Sequence, residues 1–279
     1  MTRLATVLPL LVCGFLSVPA ALAGPEEDRA AFAAHYQSRF PDIPFAEFAN
    51  GIYAIDEDAR RQWQEIEEFP PYEFAIERGE ALWNRPLAGD AVYADCFDGP
   101  VDEIRAAYPL FDVGRARVVT LETAINDCRA ALGVPSYAYD SDELISITAY
   151  LAYAARGKTV ETRVPEDQPG ALEAYEEGKR FYYSKRGQLN FACADCHVTS
   201  VGLYVRADRL SASLGHPTHF PVYRSKLGAM ITLHQRFAGC VRDVRAKPFE
   251  LQSGEFRNLE YFLSYMSNGL EFNGPGARK

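Results

Sequence analysis

A mainly α-helical chain built from two tandem copies of one unit is predicted by three observations. These are a self-match at about 100-residue spacing, a helix-period segment closing each copy, and a CxxCH motif present in the second copy alone. The self-match keeps one order along the 279 residues. Glu77-Arg78-Gly79-Glu80-Ala81-Leu82-Trp83 pairs with Glu176-Glu177-Gly178-Lys179-Arg180-Phe181-Tyr182. Tyr93-Ala94-Asp95-Cys96-Phe97 lies 100 positions before Cys193-Ala194-Asp195-Cys196-His197. Thr120, Leu121 and Cys128 recur 112 positions on as Thr232, Leu233 and Cys240. At that same offset Glu143-Leu144 matches Glu255-Phe256, Leu151 matches Leu263, Tyr153 matches Tyr265 and Gly157 matches Gly269.

Taken in order, residues 1–23 form an export leader. Arg3 supplies the positive start, Leu4 to Val18 the apolar run, and Ala21-Leu22-Ala23 the small-residue cleavage site. The run is too short for a stable membrane span, and one arginine suits general secretion better than a twin-arginine route. Cleavage before Gly24 predicts a periplasmic chain that has lost Cys13 and keeps Cys96, Cys128, Cys193, Cys196 and Cys240. The first unit is expected over 24–157, a polar linker with Pro165 and Pro169 over 158–170, and the second unit over 171–279. Ser141–Arg156 places Leu144, Ile147, Thr148, Leu151 and Ala155 on one helical face before Gly157. Ser253–Asn268 does the same with Phe256, Leu259, Phe262, Leu263 and Met266.

Cys193-Ala194-Asp195-Cys196-His197 is the attachment pattern of a c-type haem, with two thioethers and a proximal imidazole. Zinc would require a second ligand pair, and the chain has none at suitable spacing. Export agrees with this chemistry, and each unit therefore reads as a small cytochrome c-like domain, only the second of which binds haem. In the first, Tyr93 and Phe97 replace the first haem cysteine and the histidine. That copy keeps Cys96 and Cys128, and in an oxidising compartment a Cys96–Cys128 disulfide is expected in place of the haem.

Charge is divided between the units. Residues 170–279 carry 15 Lys and Arg against 10 Asp and Glu, while the full chain stands at −9. The acidic excess thus lies entirely before residue 170, and the haem-bearing half suits a small anion or an acidic partner. Basic and aromatic residues are not interleaved as nucleic-acid binding requires.

The distal side of the iron has several candidates. Cys240 falls 44 residues after Cys196, and Met230, Met266, His216, His219 and His234 are the alternatives. Methionine would make an ordinary electron carrier of raised potential, whereas a thiolate would lower the potential and put a nucleophilic sulfur beside a redox centre. Arg236, four residues before Cys240, shares its helical face and can fork an oxyanion. Arg242, Arg245 and Lys247 add local positive charge.

The export leader, the duplicated frame, CADCH in the second half and Gln235-Arg236-Phe237-Ala238-Gly239-Cys240 together resemble the SoxA family. These are the catalytic cytochrome subunits of SoxAX complexes in bacterial thiosulfate oxidation. The resemblance spans the whole mature chain. It departs from the dihaem members, which carry a second CxxCH in the first half, and so is similar to the monohaem type. It implies one covalent haem c on Cys193 and Cys196, with His197 proximal and Cys240 as distal ligand. Cys240 would also be the catalytic sulfur, carried as a persulfide, with Arg236 orienting thiosulfate. The implied reaction, an L-cysteine S-thiosulfotransferase activity, joins thiosulfate to a cysteine of the carrier SoxYZ. Its two electrons would pass through SoxX to a soluble cytochrome c. Two other readings are weighed beside it: a plain electron-transfer cytochrome, and a thiosulfate dehydrogenase forming tetrathionate without a carrier.

Overall fold

The computed structural model describes residues 24–278, so the export leader expected over 1–23 lies outside the described residues. The fold is mainly α, with nine α-helices and seven short strands among the described residues. In chain order these begin with α1 (Pro25–Arg39), α2 (Glu57–Glu67), α3 (Glu73–Trp83) and the single turn α4 (Val101–Ile104). A hairpin β1 (Leu110–Asp112) and β2 (Arg117–Val119) leads to α5 (Leu121–Ala131) and α6 (Asp142–Ala154). The second unit starts at α7 (Pro169–Tyr183), followed by β3 (Tyr204–Val205) and β4 (Asp208–Arg209). It continues through β5 (Val222–Arg224), β6 (Ala229–Ile231), α8 (Leu233–Asp243), α9 (Gly254–Met266) and β7 (Gly276–Arg278).

Duplication in the sequence is duplication in space. Ser141 and Ser253 are the N-caps of α6 and α9, each accepting a backbone N–H three residues on. Thr120 and Thr232 open α5 and α8 with capping boxes. The hairpin registers Leu110↔Val119 and Val222↔Ile231 superimpose at the same offset. The closest agreement is at the helix crossings. A Cβ on Gly79 of α3 would lie 1.9 Å from the Ser146 carbonyl oxygen of α6 and 2.8 Å from the Tyr150 Cβ. A Cβ on Gly178 of α7 would lie 2.0 Å from the Asn258 oxygen of α9 and 2.8 Å from the Phe262 Cβ. Glycine lets both helix pairs meet backbone to backbone, and this crossing builds each unit.

Two cores follow from the two crossings. One gathers Trp83, Tyr93, Ile104, Ile125, Leu144 and Leu151 around α3, α5 and α6. The other gathers Tyr175, Tyr182, Phe237, Phe256, Phe262 and Met266 around α7, α8 and α9. Residues 25–54 precede the repeat and pack on the second core through Phe32, Tyr36 and Phe48. The 158–170 stretch lies against the end of the second unit, with Val160 N–H donating to Leu270 and Asn268 bonding both backbone groups of Thr162. The short strands were not expected from the sequence, because two or three residues are too few to display an alternating pattern.

Cys96 and Cys128 are joined by a disulfide with their Cα atoms 5.7 Å apart. Aromatic side chains pack beside this bond. Trp83 stacks on Tyr93 at 5.4 Å and Phe97 tilts against Trp83 at 5.4 Å, while the Tyr93 hydroxyl accepts a bond from Arg129. The two residues that displaced cysteine and histidine thus became aromatic packing. Replacing both Cys96 and Cys128 by serine is expected to cost about 3–4 kcal/mol in denaturant unfolding, given the 32-residue loop. Haem content should not change, because the CADCH motif at 193–197 lies in the other unit.

Candidate functional site

The CADCH segment forms one tight turn, Asp195–Thr199, after Ala192 N–H donates to the Asp195 carboxylate at 2.7 Å. Its counterpart in the first unit repeats that bond, from Val92 N–H to Asp95 at 2.9 Å. Shared Asp positions therefore shape the turn in both copies, while Cys193 and His197 belong to the second alone.

The turn is clamped from a distant part of the chain. The Tyr36 hydroxyl donates to the His197 carbonyl at 2.5 Å. The Arg39 guanidinium reaches the carbonyls of Val198, Thr199 and Val201 at 3.0, 2.8 and 2.7 Å. Both clamps stand on α1, some 160 residues earlier, and nothing in the local sequence of α1 signals them.

His197 is oriented as an iron ligand should be. Its Nδ1 donates to the Ser211 carbonyl at 2.9 Å, and among the described residues nothing bonds Nε2. Burial pushes this imidazole down to about 4; the Ser211 bond opposes that shift and Arg236 adds to it. Neutral imidazole is the ligating form. Burial also pushes the Cys193 thiol up to about 12, with the Cys240 sulfur raising it further and Arg186 opposing. Cys196 is raised by burial and then by Cys240. Cys193, Cys196 and Cys240 are all free thiols and half-buried. A turn presenting two thiols, a neutral imidazole with one nitrogen open and an apolar surround fits haem c. Among the described residues no cluster of three or more His, Cys, Asp or Glu could hold a bare metal ion instead.

The remaining distal candidates separate by position. His234 lies in the core, its Nδ1 accepting from Gln252 N–H at 3.1 Å and its Nε2 3.0 Å from Glu260. His216 sits against His197 at 4.7 Å and bonds the Ser211 hydroxyl, so it packs on the His197 ring. His219 lies behind it, 6.4 Å away. Met266 is core, 1% exposed. Met230 lies on β6, paired with Tyr223 of β5.

Helix α8 presents Arg236 and Cys240 from its open side, with Phe237, Ala238 and Val241 buried on the other. Gly239 leaves free space next to Cys240, since a Cβ there would meet nothing within 4 Å. The structure therefore brings Cys193, Cys196, His197, Arg236 and Cys240 into one neighbourhood, and leaves Cys96 and Cys128 in the other unit. Arg242 and Arg245 are exposed beyond it.

Comparison with known proteins agrees with the geometry. The family model described as SoxA/TsdA, cytochrome c domain, matches residues 78–160 and 177–272. An L-cysteine S-thiosulfotransferase subunit SoxA of Allochromatium vinosum is 55% identical over 94% of this chain and 92% of its own length. The like-named protein of Chlorobaculum tepidum is 48% identical over 91% of this chain and 88% of its own. A crystal structure of SoxXA from P. pantotrophus aligns with a TM-score of 0.70 and 31% identity, covering 80% of this chain and 84% of that one.

Proposed function

The chain belongs to the SoxA family of L-cysteine S-thiosulfotransferase subunits, and from that premise we propose that Cys240 is its reacting sulfur and Cys193, Cys196 and His197 hold one covalent haem c. The observation that carries this is the convergence of Cys240, Arg236 and the CADCH turn, on elements that the first unit repeats without the haem ligands. Cys193, Cys196, His197 and Cys240 are the residues that would hold the haem, which when bound would supply a redox centre beside the Cys240 sulfur. The protein's own part is positional. Tyr36 and Arg39 hold the turn, Ser211 fixes the His197 tautomer, and Arg236 holds the thiosulfate dianion through its fork.

Thiosulfate and the thiol of a carrier cysteine combine to a thiosulfonate, with loss of one proton and two electrons. The carrier is SoxYZ, and the electrons leave to a SoxX subunit and then to a soluble cytochrome c. This work takes place in the periplasm, after export and removal of residues 1–23. Among the described residues no helix is long and apolar enough to cross a membrane.

Product analysis tests the reading. With thiosulfate, carrier protein and oxidised cytochrome c, the expected product is a thiosulfonate on the carrier cysteine, read by mass spectrometry of the intact carrier. Tetrathionate in solution and an unmodified carrier would instead identify a thiosulfate dehydrogenase. Reduced cytochrome with no sulfur product would leave a plain electron carrier. Haem staining with quantitation should return one haem per chain.

A further inference from the structure

Arg224 lies at the end of β5, held by pairing with Ala229 on β6 and Arg278 on β7. From β6 the chain passes through Thr232 directly into α8, so one hairpin fixes Arg224 relative to Arg236 and Cys240. Arg224 is half-buried, and the groups acting on it electrostatically are Arg236, Asp208, Tyr53 and the Cys240 sulfur. Burial and Arg236 both disfavour its charge.

The local carboxylates do not neutralise this pair. Asp208 is held by Lys226 at 2.8 Å and Asp56 by Arg209 at 3.2 Å. Among the described residues neither Arg224 nor Arg236 has a carboxylate oxygen within the 4.0 Å of an ion pair. A half-buried Arg224 guanidinium whose charge is opposed by burial and by Arg236 favours a dianion between the two arginines, since an anion there relieves that cost.

The first unit supplies an internal control. At the offset of 112 that superimposes the hairpins, Asp112 stands in the place of Arg224, Ala124 in that of Arg236, and Cys128 in that of Cys240. If Arg224 merely completed the hairpin, an acid paired with Arg117 would not serve as well in the other copy. Both cations occur only where the chemistry is.

We propose that Arg224 is a second thiosulfate-binding cation, closing with Arg236 on the sulfonate of the dianion beside the Cys240 sulfur. This rests on the reading of Cys240 as the reacting sulfur. It makes the site selective for a dianion over monoanions of similar size, and it is tested with the haem-loaded chain in complex with its partner cytochrome, assayed with carrier protein. Arg224→Ala and the longer Arg224→Gln are expected to raise the KM for thiosulfate tenfold or more, with a smaller effect on kcat and an unchanged haem spectrum. Millimolar guanidinium ion should recover part of the loss in the alanine variant. Arg242→Ala, which removes an exposed charge from the same helix, should shift KM less than twofold. If the alanine variant fails to load haem, the glutamine variant carries the same comparison. A KM within twofold of wild type in the variants that load, or one shifted no more than by Arg242→Ala, would overturn the assignment. Cys240→Ser run in parallel keeps the two readings apart. If Cys240→Ser turns over normally the Cys240 reading fails, whereas an inactive Cys240→Ser beside normal Arg224 variants removes Arg224 alone.

Discussion

Cys240→Ala is expected to keep one covalent haem per chain and lose thiosulfate-dependent turnover by about a thousandfold or more, the scale on which removing a covalent catalytic group acts. The two halves of that result have separate causes. In the proposed reading, haem attachment depends on Cys193, Cys196 and the clamp that Tyr36 and Arg39 place on their turn, and no hydrogen bond of that clamp uses the Cys240 side chain. The Cys240 side chain is half-buried on the open side of α8, away from Phe237 and Val241, so truncation opens no core cavity. Stability should fall by less than about 1 kcal/mol. On the proposed reading, losing the sulfur removes both an iron ligand and the atom that reacts with substrate. Electron paramagnetic resonance of the oxidised protein should lose a low-spin histidine/thiolate signature, while the denatured haem chromophore is unaltered. A variant with that altered spectrum and normal turnover would show that Cys240 ligates iron but does not react.

What the sequence disclosed about this site follows covalent and short-range constraints. CADCH is legible because thioether attachment demands both thiols and the histidine within five residues. Cys240 and Arg236 are legible because they share a helix face and because the repeat supplies Cys128 as a partner for comparison. The units themselves were visible through their caps and helix periods, and Ser141 and Ser253 do cap the expected helices.

The parts that were hidden depend on tertiary contact across long separations. Tyr36 meets His197 across 161 residues, and no pattern in α1 marks one tyrosine of a 15-residue helix as a clamp. Ser211 acts through its backbone carbonyl, which any residue type could present. The stack of Trp83 on Tyr93 was hidden for another reason. Loss of Cys and His was plain from YADCF, but whether the vacated volume holds side chains or collapses is decided by packing alone. Arg224 has no local signature, being a single arginine in a three-residue strand, and its meaning emerges only when the hairpins are superimposed.

The same superposition locates the largest effect on folding. Gly178→Ala is expected to prevent stable formation of the haem-bearing unit, costing more than about 3 kcal/mol against a total of about 5–15 kcal/mol. The added Cβ would sit 2.0 Å from the Asn258 oxygen and 2.6 Å from its carbonyl carbon. Those atoms are backbone in the middle of α9, so no rotamer change relieves the overlap. Helices α7 and α9 must separate, and that uncovers Tyr175, Tyr182, Phe256 and Phe262, each 1% exposed or less. The turn holding His197 is fixed against this core through Tyr36 and Phe48, so the damage should reach the haem as low covalent incorporation. Gly79→Ala meets the Ser146 oxygen at 1.9 Å and should destabilise by a similar amount, but with haem retained in whatever protein folds. Gly254→Ala is the matching control, because it lies in the first turn of α9 with nothing within 4 Å of its Cβ position. There the substitution should be neutral, or stabilising by about 0.5 kcal/mol through the unfolded chain. Thermal unfolding with haem quantitation on the three variants reads all of these at once. If Gly178→Ala melts with the wild type, the close crossing of α7 and α9 does not hold the unit together.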